Sequence, residues 1–267
     1  MTRRAALVRG GMSLAAAVSG AAAYARYVER LDVEVTLHRL VVGLDRPMKV
    51  VTIGDLHFDP FFEVGYVERV VASVNRQSPD VVVHTGDFVS HTASRLDELA
   101  SALQRLSPRD GHLAILGNHD HWVDADRVTA ALQRAGIAVL RNRSVPVPGS
   151  PRWFVTGLES FWSGRPDVSL LAGGQRDTRH IVIVHEPDAF DHLDQPQVAL
   201  QLSGHTHGGQ VRIPGYGAVS LPRWGKRYQM GGFQSGSRQL FVHRGLGTVD
   251  DHVRLNCRPE IAVLTIV

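Results

Sequence analysis

Cysteine is almost missing from this sequence. Its 267 residues contain a single cysteine, Cys257, so no disulfide can form within the chain. A zinc cluster held by several thiolates is excluded for the same reason. Any metal ion that the chain binds must therefore be held by histidine, aspartate, asparagine or glutamate side chains.

Outside the N-terminal segment the chain has no net positive charge. The formal net charge is +3, and residues 1–30 carry five arginines against one glutamate. The rest of the chain is therefore close to neutral, and its only lysines are Lys49 and Lys226. Because a domain that binds nucleic acid usually has a basic patch, we expect no nucleic-acid partner.

No apolar run is long enough to be a clear membrane span, and the nearest candidate lies near the N-terminus. Residues 10–25 are sixteen residues without a charge between Arg9 and Arg26. This is slightly shorter than the roughly 17–25 apolar residues that span a bilayer. A basic start followed by small and apolar residues is typical of export signals, so we predict an export signal or membrane anchor over residues 1–30.

The location of the protein depends on how this segment acts. The Arg3-Arg4 pair resembles a twin-arginine signal, although Ala6 and Val8 stand where that signal usually has phenylalanine and lysine. Export would place the protein in the periplasm or another extracytoplasmic space, associated with the membrane. Without export, we expect it at the cytoplasmic face of the inner membrane. A helix lying on the membrane and an ordinary terminal helix are the alternatives.

Strands and helices alternate in the first half of the chain. Nearly continuous apolar runs predict buried strands, and the segments between them have apolar residues at helical spacing. The predicted strands are Met48–Ile53, Asp80–His84 and His112–Leu116, and the predicted helices are Val64–Asn75, Leu96–Leu106 and Asp124–Ala135. This order is typical of an α/β protein with parallel strand pairing.

The second half is richer in strands and in glycine and proline. Predicted strands are Trp153–Leu158, His180–Val184, Val198–Leu202, Gln239–His243 and Ile261–Ile266, and Leu31–Val42 contains a half-buried strand with period-two alternation. No linker separates the two halves. We therefore expect one domain over residues 31–267, made of two packed sheets flanked by helices, with Pro146–Pro151 as a loop between the halves.

Five polar segments follow the ends of predicted strands. They are Gly54-Asp55-Leu56-His57, Gly86-Asp87-Phe88, Gly117-Asn118-His119-Asp120, His185-Glu186-Pro187-Asp188 and Gly204-His205-Thr206-His207. Ligands of α/β proteins gather beyond the carboxyl ends of strands, so these segments could face one centre. They contain two aspartates, one asparagine and four histidines as donors, with His119 and Asp120 beside them. This number of donors is about what two metal ions need. A two-metal site activates water for attack on a phosphoryl or carbonyl centre.

Each segment taken alone also has a structural interpretation. Gly-Asp after a strand is common turn chemistry, Gly-Asn-His-Asp could cap a helix, and His185 could be a hydrogen-bonded core residue. Five such strand ends in one chain favour the metal site. The remaining histidines that follow strands or lie in loops are expected at the surface or behind the ligands: His84, His91, His112, His121, His180, His192, His243 and His252.

The order of these motifs resembles the calcineurin-like metallophosphoesterases. Asp-x-His, Gly-Asp, Gly-Asn-His-Asp, His and Gly-His-x-His occur in this order over residues 55–207. Gly204–Gln210 and Arg244-Gly245-Leu246-Gly247 resemble the bacterial membrane-associated phosphodiesterases of the family. The resemblance implies a four-layer α/β/β/α sandwich of two mixed sheets, with a dimetal site at the C-terminal ends of the strands.

The resemblance also implies roles for individual residues. Asp55, His57, Asp87 and His207 would hold one divalent ion, and Asp87, Asn118, His185 and His205 the other, with Asp87 shared. His119 would act near the leaving oxygen, and Asp120 would orient its ring. The family favours manganese or an iron–zinc pair, and the mixed oxygen and nitrogen donors suit Mn, Fe or Zn without choosing between them.

The resemblance implies a phosphate-ester substrate, which could be linked to a lipid, and the membrane surface as a partner. Some enzymes of the related branch cleave the pyrophosphate of UDP-2,3-diacylglucosamine in lipid A biosynthesis. Arg212–Phe233 mixes cationic and aromatic residues, and it is either a rim that grips a phosphate or headgroup or a solvated loop. Phe61-Phe62 is either an apolar lip for an acyl chain or packs under its own loop.

Two other functions remain open at this point. One is a phosphatase acting on phosphoproteins or small phosphomonoesters, although the short connections between motifs offer no obvious peptide-binding extension. The other is a metal-binding module without catalysis, which the complete donor set and the intact His119–Asp120 pair disfavour.

Overall fold

Two mixed sheets form the centre of the computed structural model, which describes residues 16–60, 63–172 and 177–267. The first sheet contains β1 (Glu34–Leu40), β2 (Met48–Ile53), β3 (Val81–His84), β4 (Gly111–Ala114), β5 (Ala138–Val139) and β14 (Glu260–Ile266). Its strand order is β1-β14-β2-β3-β4-β5. Strands β2 to β5 are parallel, whereas β14 is antiparallel to β2 and parallel to β1.

The second sheet packs face to face against the first. It contains β6 (Arg143–Val147), β7 (Ser150–Gly157), β8 (Arg179–Ile183), β9 (Val198–Ser203), β12 (Gly231–Ser235) and β13 (Arg238–Val242), in the order β12-β13-β9-β8-β7-β6. A separate hairpin joins β10 (Arg212–Ile213) and β11 (Gly217–Ala218). Buried aliphatic side chains of both sheets, such as Val83 and Ile183, form the core between them.

Helices cover the outer face of the first sheet. They are α2 (Val64–Arg76), α3 (Leu96–Leu103) and α4 (Asn118–Arg134), and their apolar faces pack in one core with β2, β3 and β14. The outer face of the second sheet is covered by short 3₁₀ helices at Val168–Leu171 and Pro187–Asp191. A further helix, α1 (residues 16–27), precedes β1. No helix within the described ranges is both long and apolar enough to cross a membrane.

The prediction of an α/β fold built on two mixed sheets is confirmed. One local prediction was wrong. Pro146–Pro151 is not a loop between halves, because β6 and β7 pair there as an antiparallel hairpin. The helix predicted from Asp124 is present, and a shorter helical segment that begins at Asn118 precedes it within α4. The two segments meet at a kink at Asp124 (φ −177°, ψ 90°), whose carboxylate accepts from the Arg127 N–H (2.9 Å). In the first segment, Asp120 accepts a hydrogen bond from the Gly117 N–H (3.0 Å).

Candidate metal centre

The carboxyl ends of strands from both sheets open on one edge of the sandwich. Asp55 and His57 follow β2, Asp87 follows β3, Asn118 begins α4 beyond β4, His185 follows β8, and His205 and His207 follow β9. All seven side chains are buried. Six of these side chains have ligand atoms in groups within 4.8 Å of one another, and Asn118 lines the same cavity as Asp87.

One group of donors contains Asp55, His57 and His207. A ligand atom of each lies within 4.8 Å of the others. Nε2 of His57 is 3.0 Å from Nε2 of His207, which in turn is 3.7 Å from Oδ1 of Asp55. Two imidazoles and a carboxylate at this spacing are suitable donors for one divalent ion.

A second group contains Asp87, His185 and His205, again with ligand atoms within 4.8 Å of one another. Nε2 of His185 is 3.1 Å from Oδ2 of Asp87 and 3.1 Å from Nδ1 of His205. The same Asp87 oxygen is 3.5 Å from Nε2 of His57 in the first group. Asp87 is thus the carboxylate that borders both groups.

The backbone around the centre is strained. Five of the seven candidate ligands have positive φ: Asp55 (50°), His57 (47°), Asp87 (53°), His205 (72°) and His207 (51°). This left-handed region is uncommon for residues other than glycine, and such strain is concentrated at functional sites. The strained turns direct the side chains inward instead of continuing each strand.

Glycines allow the loops to approach the carboxylates closely. A Cβ atom at Gly117 would overlap the carboxylate of Asp87, and one at Gly204 would overlap that of Asp55. The glycines that precede Asn118 and His205 in the motifs are therefore required by space around the two acids.

Hydrogen bonds on the outer side of two histidines orient their rings. Nδ1 of His185 donates to the Thr85 carbonyl (2.7 Å), and Nε2 of His205 donates to the Arg223 carbonyl (2.7 Å). These bonds orient the rings so that Nε2 of His185 and Nδ1 of His205 face the centre, where both would be lone-pair donors to a bound ion.

Two buried oxygens in the centre lack partners. Among the described residues, Oδ2 of Asp55 and Oδ1 of Asn118 accept no hydrogen bond. An unpaired buried acceptor is costly, and both atoms are hard oxygen donors of the kind that divalent ions bind. The residues present therefore fit a pair of divalent ions.

The electrostatics favour cation binding. Burial lowers the pKa of His57 to about 3 and that of His205 to about 4, so both rings are neutral ligands at pH 7. Burial raises the pKa of Asp55 to about 7. Burial alone would also raise the pKa of Asp87, but the neighbouring His185 outweighs it and holds the pKa well below its usual value. A bound cation would supply the positive charge that Asp55 lacks.

His119 lies beside the centre, but Asp120 does not orient it. Nδ1 of His119 donates to the Ser90 carbonyl (2.9 Å). The Asp120 carboxylate accepts instead from the backbone N–H groups of Phe88 (2.9 Å), Val89 (3.1 Å) and Gly117. The expected orienting role of Asp120 was wrong. This buried acid joins the loops that carry Asp87 and Asn118, and the Ser90 carbonyl orients the ring.

His243 was missed as part of the centre. It is fully buried at the end of β13, with Nε2 3.7 Å from Oδ2 of Asp55 and hydrogen-bonded to the Thr85 hydroxyl. Its Nδ1 accepts from the Gly245 N–H (2.8 Å). The signal was available, because His243 ends a predicted strand, as His185 follows one, and Gly245 lies two residues after it.

Arg254 was also missed. This fully buried guanidinium donates to the carbonyls of Gly247 (2.7 Å), Cys257 (3.1 Å) and Arg244 (2.8 Å). It therefore joins the loop after β13 to the loop before β14, next to His207. No strand end or motif marks this position in the sequence.

A cavity of about 580 Å³ opens over the centre. One wall is aromatic: the Trp122 ring lies 4.8 Å from the His119 ring and 4.9 Å from the Trp162 ring, which is 5.7 Å from the His205 ring. The opposite side includes the aliphatic residues Val211, Val219, Leu221, Val249 and Val253. The cavity thus combines a polar floor with apolar walls.

Much of the segment Arg212–Phe233 has a structural role. The Asp188 carboxylate accepts from the backbone N–H groups of Lys226 (2.9 Å), Arg227 (3.1 Å) and Tyr228 (3.1 Å), and Arg227 pairs with Asp191. Only its part near Ser220, Leu221 and Pro222 lines the cavity. Phe61-Phe62 lies outside the described residues.

Known proteins are similar to this chain in sequence. Residues 48–209 match the calcineurin-like phosphoesterase family. The uncharacterized metallophosphoesterase YkuE of Bacillus subtilis is 34% identical over 258 residues, covering 92% of this chain and 90% of that protein. The phosphodiesterase YaeI of Escherichia coli is 31% identical and covers 94% of each chain. A solved dimetal phosphatase from Danio rerio has a TM-score of 0.48 and 12% identity, covering 74% of this chain and 88% of that one. The chain therefore belongs to the calcineurin-like phosphoesterases and is a metal-dependent hydrolase of phosphoester bonds.

Proposed function

We propose that this hydrolase is a phosphodiesterase whose substrate is a membrane lipid or a sugar-nucleotide lipid, cleaved at a phosphodiester or pyrophosphate bond. The observation that carries the dimetal chemistry is the position of Asp87. One of its carboxylate oxygens, Oδ2, is 3.5 Å from Nε2 of His57 and 3.1 Å from Nε2 of His185. The lipid part is supported by the apolar walls of the cavity above that polar floor.

The seven buried donors divide into two ligand sets in this proposal. Asp55, His57, Asp87 and His207 would hold one ion, and Asp87, Asn118, His185 and His205 would hold the other. Divalent Mn, Fe or Zn bound there would supply Lewis-acid chemistry for phosphoryl oxygens and for activating water. The glycine turns and outer hydrogen bonds keep the donor atoms in place before substrate binds.

His119 protonates the leaving oxygen in this proposal. Because its Nδ1–H is engaged by the Ser90 carbonyl, only Nε2 is available to the substrate, and it can donate a proton only when the ring is doubly protonated. The backbone N–H of His119 donates to Oδ1 of Asp87 (2.9 Å), which holds the ring at a constant position relative to the centre.

A substrate panel tests the proposed reaction. The purified chain, reconstituted separately with Mn, Fe and Zn, should hydrolyse bis-p-nitrophenyl phosphate and lipid-linked phosphodiesters faster than p-nitrophenyl phosphate or a phosphopeptide. Higher kcat/KM on the monoester or the phosphopeptide would favour the phosphomonoesterase alternative. Lack of hydrolysis on the whole panel by a metal-loaded protein would favour a non-catalytic metal-binding module.

Replacing the exposed tryptophan of the cavity should weaken substrate binding. Trp122 is 53% exposed although it adjoins His119, so its ring is available to stack on an aryl or nucleoside group. Stacking contributes about 1–3 kcal/mol per ring, and we expect Trp122→Ala to raise KM for bis-p-nitrophenyl phosphate roughly tenfold. Steady-state kinetics and metal analysis measure this. Trp122→Phe, the matched control, should retain most of the affinity, and an unchanged KM in Trp122→Ala would contradict the stacking role.

The N-terminal segment places the enzyme at the membrane in this proposal. Residues 1–30 act as an export signal or anchor, and the Arg3-Arg4 pair favours the extracytoplasmic side. A lipid that faces the cytosol, such as UDP-2,3-diacylglucosamine, would then be out of reach, and a phosphodiester of the cell envelope becomes the substrate. Fusing residues 1–30 to a reporter that is active on only one side of the membrane decides between the two locations.

A further inference from the structure

Helix α1 presents apolar side chains that the described part of the chain does not cover. Among residues 16–27 only Ala25 is buried, whereas Val18 is 60% and Tyr27 is 66% exposed. The segment from residue 16 to Ala25 carries no charge. Large exposed apolar surfaces mark a membrane or partner interface.

The β10–β11 hairpin has a similar surface. Tyr216 at its turn is 74% exposed, and Ile213 and Val219 are each about half exposed. The hairpin is only two residues per strand, too short to have a core of its own. Its apolar side chains therefore do not serve the packing of the hairpin.

Helix α1 and the hairpin are attached to the same loop, residues 250–257. The Ala25 carbonyl accepts from the Arg254 N–H (3.0 Å), and the buried Glu29 carboxylate accepts from the Cys257 N–H (2.7 Å). On the other side of the loop, the Arg212 N–H donates to the Leu255 carbonyl (2.8 Å). The two apolar surfaces thus flank one loop.

That loop and the hairpin also form part of the cavity over the metal centre. Asp250, Asp251 and Val253 of the loop line the cavity, as do Val211 and Val219 at the ends of the hairpin. The apolar surface of the hairpin therefore borders the cavity that leads to Asp87, and α1 is attached to the loop that lines it.

We propose that the exposed side chains of α1 and of the hairpin (Val18, Tyr24, Tyr27, Ile213, Tyr216 and Val219) form one docking face for an anionic lipid bilayer. When the protein lies on the bilayer through this face, phosphodiester headgroups can enter the cavity directly from the membrane. The inference rests on the proposed function and names the surface from which the substrate is drawn.

The charges around α1 favour lipid over a protein partner. The charge-free residues 10–25 lie between Arg3, Arg4 and Arg9 on one side and Arg26 and Arg30 on the other. Arginines near an apolar segment are attracted to anionic headgroups. Tyr24 and Tyr27 lie at the end of the run next to Arg26, where tyrosines occur at membrane–water interfaces.

Site-specific fluorescence tests the docking face in the full chain. The only native cysteine, Cys257, is buried, so Tyr216→Cys can be labelled selectively with an environment-sensitive fluorophore. On addition of vesicles of phosphatidylglycerol and phosphatidylcholine, we expect a blue shift of the label at position 216. Pure phosphatidylcholine vesicles should give a smaller shift, because the cationic residues then lack a partner.

Val41→Cys is the matched control. Val41 is 63% exposed and follows the end of β1, which runs parallel to β14. The first residue of β14, Glu260, lies near the centre, because its N–H donates to the carbonyl of Gly245 (3.0 Å), which adjoins Asp55. Val41 therefore lies at the opposite end of the sheet, and its label should not shift.

A double variant tests the same face by kinetics. Ile213→Ser combined with Tyr216→Ser should lower the rate on a vesicle-embedded phosphodiester about tenfold and leave the rate on soluble bis-p-nitrophenyl phosphate unchanged.

The outcomes separate this inference from the proposed function. No shift at position 216 on the anionic vesicles, or equal shifts at 216 and 41, would overturn the docking face even if diesters are hydrolysed. A shift at a Val18→Cys label without one at 216 would mean that the N-terminal segment alone holds the membrane, which also overturns it. A shift at 216 in a protein that hydrolyses no phosphodiester would leave the docking face standing and remove the proposed function.

Discussion

Asp87→Asn should reduce kcat/KM on bis-p-nitrophenyl phosphate by about 10³-fold or more. Oδ2 of Asp87 lies 3.5 Å from His57 in one donor group and 3.1 Å from His185 in the other. A neutral amide removes the charge that two cations would share. A metal site contributes several kcal/mol to transition-state stabilisation, and each 1.4 kcal/mol corresponds to tenfold in rate.

Metal analysis gives a second measurement of the same variant. We expect Asp87→Asn to retain at most about one ion per chain, because both donor groups lose the carboxylate that borders them. The fold should survive, since an amide oxygen can accept the hydrogen bond that Asp87 accepts from the His119 N–H (2.9 Å), and an amide can also pair with Nε2 of His185. Circular dichroism and the thermal midpoint verify this point.

Asp120→Asn is the matched control for replacing a buried acid in the same region. Asp120 is fully buried like Asp87, but its oxygens accept from backbone N–H groups of two loops. We expect this variant to have a lower thermal midpoint and to keep both ions in its folded fraction. An Asp87→Asn protein with full activity and two bound ions would contradict the shared position of Asp87.

The positions of the candidate ligands could be predicted because two simple patterns coincide. Nearly continuous apolar runs identify buried strands, as for β2, which spans Met48–Ile53 as predicted. Parallel strands place their carboxyl ends at one edge, so the polar residues that follow β2, β3 and β4 had to lie near one another. Strand patterns alone did not predict that the second sheet contributes ligands at the same edge. That prediction rested on the motif resemblance.

The partners of buried side chains could not be predicted in the same way. Asp120 follows His119 in the chain, yet it bonds the loop after β3, because the parallel pairing of β3 and β4 brings that loop against the start of α4. Arg254 is far from any motif, and its partners are carbonyls of loops that meet only in the folded protein. Such contacts depend on tertiary geometry and leave no periodic pattern in the sequence.

Short or interrupted strands escaped prediction for a related reason. Strand β6 contains Pro146 next to a register irregularity, and proline occurs in sheets at edges and bulges. This strand is at the edge of the second sheet, where the missing N–H costs no ladder bond. Proline and glycine in Pro146–Pro151 thus predicted a loop, whereas the chain forms an edge hairpin.

His119→Ala should slow turnover by about 10²–10⁴-fold, the usual contribution of a general acid or base, while both ions remain bound. The ring lies beside the centre with Nδ1 held by the Ser90 carbonyl, so Nε2 is the atom that can reach a leaving oxygen. The loss should depend on the leaving group. It should be large for an alkyl alcohol, which needs a proton to depart, and small for p-nitrophenolate, which departs as an anion.

His91→Ala is the matched control, because His91 also lines the cavity and its ring lies 6.1 Å from that of His119. His91 is exposed and near Asp250 (3.9 Å), away from the donor groups, so its removal should change kcat for both kinds of leaving group to a similar small extent. Elemental analysis of His119→Ala then decides what the ring does. Since a ligand atom of His119 also lies within 4.8 Å of those of His57 and Asp87, loss of an ion would make His119 a metal ligand, and an equal loss of rate for both leaving groups would exclude proton donation.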